Sequence, residues 1–61
     1  MRTMTPEEAK TNADVLKTEL NGILELIPNE ENEILKDSLK AKAIALQKGI
    51  KLFEVLVEWL N

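Results

Sequence analysis

Leu26-Ile27-Pro28-Asn29-Glu30-Glu31 is the stretch that decides how this chain folds. Proline lacks the amide hydrogen that a helix interior uses and pushes the residue before it away from helical angles, so a helix arriving at Ile27 is expected to stop there. Asn29 is a favoured cap for a following helix, and Glu30, Glu31 and Glu33 suit its first turn, where the helix dipole favours negative charge. The stretch reads as a tight turn, Pro28-Asn29, between two helices. A connection that short folds the helices back antiparallel.

Upstream of the turn, Thr5-Pro6-Glu7-Glu8 is a helix start. Thr5 caps, Pro6 occupies the first helical position and Glu8 completes a capping box, with Met4 and Ala9 placed as a hydrophobic staple. From there Ala9, Ala13, Leu16, Leu20, Ile23 and Ile27 recur at alternating spacings of four and three, the seam of a helix packed along another helix. The first helix is expected over about 6–27, with residues 1–4 as a flexible N-terminus.

Downstream, Leu39, Ala43, Leu46, Ile50, Phe53, Val57 and Leu60 form the matching seam. Gly49 costs roughly 1 kcal/mol in a helix interior, but the seam keeps its phase through it. One helix over about 30–60 is therefore expected, and a break at Gly49 that gives a three-helix mini-bundle is the alternative. The seams suggest a register in which Leu20 faces Leu39, Leu16 faces Ala43, Ala13 faces Leu46 and Ala9 faces Ile50, with large side chains opposite small ones at three successive levels. At 1.5 Å per residue the second helix is the longer by about 12 Å. The excess falls at its C-terminal end.

That end is the most apolar part of the chain, Leu52-Phe53-Glu54-Val55-Leu56-Val57-Glu58-Trp59-Leu60. It holds the only Phe and the only Trp. In a helix Glu54 and Glu58 share one narrow strip, and the apolar residues cover most of the remaining circumference. An apolar surface of that kind marks an interaction site. Leu52, Phe53, Val55, Leu56, Trp59 and Leu60 are the candidate interface for self-association or a partner protein, and Phe53 and Trp59 are its expected aromatic anchors. A second hairpin would bury the stretch in a four-helix bundle. Gly22 shares a side with Val15, Glu19 and Leu26, where it is either a point of close approach for another helix or a tolerated weak spot. Glu54 and Glu58 oppose the helix dipole, and Arg2 is placed to offset them.

Composition bounds the rest. Sixty-one residues allow one domain, residues 1–61, and a core too small to be secure without a staple. Without Cys or His there is no disulfide and no zinc site, so oligomerisation is the staple left. No metal or other cofactor is expected. Ser38 is the only serine, and with Tyr also absent no nucleophile has a plausible base, which argues against an enzyme.

The net charge of -3 gives no general attraction to nucleic acid or to an anionic membrane. Glu54 and Glu58 also argue against a membrane-surface role for the last helix. Lys36, Lys40, Lys42, Lys48 and Lys51 gather in the second half and read as a solvated face or as a docking face for a charged partner. With no signal peptide and no membrane span expected, a cytoplasmic location follows. The sequence thus points to an all-α antiparallel hairpin, expected to form a homodimer, that acts as a protein-binding regulator or inhibitor. An RNA-binding hairpin dimer and a structural assembly piece are the alternatives.

Overall fold

A computed structural model describes residues 3–60, so the expectation for Arg2 lies outside the described residues. The described chain is an antiparallel helical hairpin without strands: α1 spans Pro6–Leu26, a 3₁₀ turn spans Ile27–Asn29, and α2 spans Glu33–Leu60. The start of α1 follows its sequence. The Thr5 hydroxyl accepts from the Glu8 amide at 3.1 Å, and the Glu8 carboxylate accepts from the Thr5 amide at 3.4 Å. The box satisfies two amides that the first helical turn leaves without partners.

The turn is longer than the two residues expected. Ile27 keeps helical angles before Pro28, its amide bonds to the Ile23 carbonyl, and the chain runs on as a 3₁₀ turn closed by the Glu30 amide on the Ile27 carbonyl at 3.2 Å. Proline is tolerated there because it stands in the first turn of the 3₁₀ segment, where its missing amide hydrogen breaks no bond. Asn29 therefore does not cap α2. Its side-chain amide donates back to the Glu25 carbonyl at 3.3 Å. The cap is Asn32, whose Oδ1 accepts from the Ile34 and Leu35 amides at 2.9 and 3.2 Å. Glu30 has extended backbone angles, and its carboxylate accepts from the Asn32 amide at 3.1 Å.

The longer turn changes the register. Leu16 lies against Gly49, about six positions further along α2 than the expected Ala43, and Lys17 pairs with Glu54 at 3.4 Å. The overhang at the C-terminal end largely disappears, although α1 with 21 residues remains shorter than α2 with 28. Twenty-eight residues at 1.5 Å give α2 about 42 Å, and the whole molecule is 43 Å long, so the first turns of α1 run beside the last turns of α2.

No break occurs at Gly49, and α2 is one continuous helix. A Cβ there would stand 3.1 Å from the Leu16 Cδ1, so this glycine lets the two helices come together. The core is thin. Ala9, Ala13, Ile23, Ala43, Leu46 and Ile50 are buried, and half of them are alanines. Leu16, Leu20, Ile27 and Leu39 pack on it while keeping part of their surface in solvent.

Candidate interaction surface

Helical geometry gives the hairpin two unlike faces. On one, the residues that follow each seam residue come together: Lys10, Asp14 and Lys17 of α1 lie beside Glu54 and Glu58 of α2 around an open hollow. The Lys17 to Glu54 pair sits here and offsets the charge of Glu54. Both side chains are about half exposed, so the pair contributes at most about 1 kcal/mol.

On the other face stand the residues that precede the seam. On α2 these are Ser38, Lys42, Ala45, Gly49, Leu52, Leu56 and Trp59, and Leu35 continues the row. One residue of offset is about 100° of rotation, so this row sits nearly at right angles to the hairpin seam. On α1 the same side carries Val15, Glu19, Gly22 and Leu26. A Cβ on Gly22 would meet nothing within 4 Å, so within one hairpin that glycine borders open space.

Exposure sorts the six residues proposed as an interface. Trp59 is 80% exposed and Leu52 67% exposed, and Val55 is also exposed. Leu56, Phe53 and Leu60 are half-buried. Phe53 and Leu60 belong to the seam of their own hairpin, as their spacing predicts, and the new register brings α1 alongside them. Leu52, Leu56 and Trp59 stand on the outer row. Val55 lies further round, beside Lys48 and Lys51, where these residues and Leu52 border a shallow apolar depression.

Sequence reading missed the far end of the outer row. Beside the turn, Leu26, Leu35, Leu39 and Ser38 surround an open hollow of about 300 Å³ with Asn29 and Glu30 on its rim. Leu26 and Leu35 are 56% and 52% exposed. The signal was available in the 3, 4, 3, 4 spacing that runs backwards from Trp59 to Leu35. It went unread because the row contains Ser38, Lys42 and Gly49.

The five lysines do not share one face. Lys42 stands on the outer row and Lys40 and Lys51 on the opposite face, while Lys36 and Lys48 lie elsewhere on the circumference. Among the described residues, no group of three or more His, Cys, Asp or Glu could hold a metal ion, and no helix is long and apolar enough to cross a membrane. No protein-family model, curated protein or solved structure matches the chain.

Proposed function

We propose that the chain is a non-enzymatic protein-interaction module whose first partner is a second copy of itself, paired into a dimer with a four-helix core. The area of the hairpin carries this reading. A compact monomer of 6.9 kDa is expected to expose about 4,000 Å², whereas this chain exposes 4909 Å². The excess of roughly 900 Å² is close to the ~800 Å² that each partner contributes to a stable interface. Large apolar side chains, Trp59 and Leu52 among them, are exposed, and among the described residues no large side chain is fully buried.

A cytoplasmic regulator or inhibitor that acts on a partner protein fits such a module, because a paired hairpin still presents helix faces that a groove can take. The RNA-binding reading finds no support in a continuous basic track, since the lysines are divided among faces.

Sedimentation across a concentration series tests the proposal, with the wild type and Leu52→Ala/Trp59→Ala compared at matched helicity. Both side chains are mostly solvent-exposed in the hairpin, so their truncation leaves it folded. The expected result is a helical wild-type dimer and a helical monomeric variant. A wild type that stays a helical monomer at every concentration overturns the reading.

A further inference from the structure

We infer that Trp59 of a second copy seats in the hollow beside the turn, with α2 packed antiparallel against the partner's α2 about a two-fold axis between Ala45 and Gly49. The inference rests on the self-association proposed above and says how it is built.

The outer row of α2 is complementary to its own reverse. Set antiparallel about that axis, Ala45 meets Gly49 of the partner subunit, Lys42 meets Leu52 of the partner subunit, Ser38 meets Leu56 of the partner subunit and Leu35 meets Trp59 of the partner subunit. Each level occurs twice, as a two-fold interface requires. Ala45 adds little bulk at the axis, where Gly49 is already covered by Leu16 of its own hairpin, and at the next two levels a large side chain stands against a small one or against the flexible stem of a lysine.

The last level is where shape and exposure agree. Trp59 is the most exposed aromatic side chain of the described residues, and the hollow opens beside Leu35. Its volume of about 300 Å³ is at the lower end of sites that hold a small molecule, enough for an indole ring. Its walls are the leucines 26, 35 and 39. A buried indole N–H looks for an acceptor, and Asn29 and Glu30, which both carry side-chain oxygens, line the hollow. The row is also rotated about 100° from the hairpin seam, the relation that a square bundle needs between its two kinds of helix contact. Gly22 and Leu26 of α1 lie on the same side, where the partner's α1 would close the square.

Trp59 is the only indole, which makes its emission a direct report. Leu35 stands 24 residues before it on one straight helix, about 36 Å away. A change at Leu35 therefore reaches Trp59 through a second copy. Leu35→Asp also places an acid in the first turn of α2, where the helix dipole favours it, so the hairpin keeps its helicity.

The expected result is a blue-shifted wild-type emission in the dimer. Leu35→Asp should emit as an exposed indole at the same concentration, with dimerisation weakened on the order of 1,000-fold, a hot-spot loss of about 30-fold at each of the two equivalent contacts. Orientation is read by cross-linking, since the chain has no Cys of its own. Ser38→Cys and Leu56→Cys should oxidise to a disulfide dimer when mixed and not when each is alone. A parallel pair would cross-link each variant with itself. That outcome, or an emission in the dimer unmoved by Leu35→Asp, overturns the inference while a sedimenting dimer keeps the self-association reading. A wild type monomeric at all concentrations overturns both.

Discussion

Two asparagines three positions apart decide where the second helix begins, and only one of them caps it. Asn32 accepts from two amides of the first turn of α2, while Asn29 donates a single bond to a carbonyl at the end of α1. Removing an N-cap side chain costs about 1 kcal/mol, and losing one solvent-exposed hydrogen bond costs roughly half of that. Asn32→Ala is therefore expected to lower the urea midpoint clearly, and Asn29→Ala to lower it less. Both would be measured at one protein concentration. The reverse order would return the cap to Asn29. The sequence could not rank the two, because both are good caps and both precede acids. The choice is made by Ile27, which stays helical before Pro28 and carries the chain one 3₁₀ turn further before it reverses.

The helices and the capping box of α1 were legible in the sequence, as was the continuity of α2 through Gly49, whereas the register between the helices was not. The reason lies in the seams themselves. A row spaced alternately by three and four looks nearly the same after a slide of one heptad, so Leu16 finds an apolar partner near Ala43 or near Gly49. Turn length breaks the tie, and the 3₁₀ turn Ile27–Asn29 with α2 beginning at Glu33 is longer than Pro28-Asn29 alone. The correction brings α1 alongside the seam position of Phe53, which the shorter turn left unmatched, and leaves Trp59 outside the seam.

That assignment predicts a contrast between two aromatic truncations, read by chemical denaturation at dilutions where the chain is monomeric. Phe53→Ala should cost the hairpin about 2 kcal/mol, less than the ~3–5 kcal/mol of a fully buried phenylalanine because Phe53 is only half-buried. Trp59→Ala should leave the monomer within about 0.5 kcal/mol of wild type, as surface changes usually do. Equal losses at the two positions would contradict the register. Leu52, Leu56 and Trp59 stand on the outer row, but its other end at Leu26 and Leu35 depends on how the turn brings α1 and α2 together, which no local spacing records.

Two helices have one line of contact and no second layer, so a hairpin of this size leaves each helix wet over most of its circumference. Among the described residues, the buried set of three alanines with Ile23, Leu46 and Ile50 is a small return for ordering two helices of 21 and 28 residues. If a second copy completes the core, association adds to the stability of the folded hairpin and the melting temperature depends on concentration. Each tenfold rise in concentration is worth about 1.4 kcal/mol per dimer. With an unfolding entropy of about 2.1 cal/mol/K per residue, a dimer of two 61-residue chains melts about 5 °C higher for every such step. Calorimetry over a hundredfold range should therefore move the transition by about 10 °C. Leu52→Ala/Trp59→Ala, left to the intramolecular seam alone, should melt lower and at a temperature independent of concentration. A wild-type transition that stays fixed over that range would mean that the six buried residues and their half-buried neighbours suffice, and the outer row would then have no part in folding.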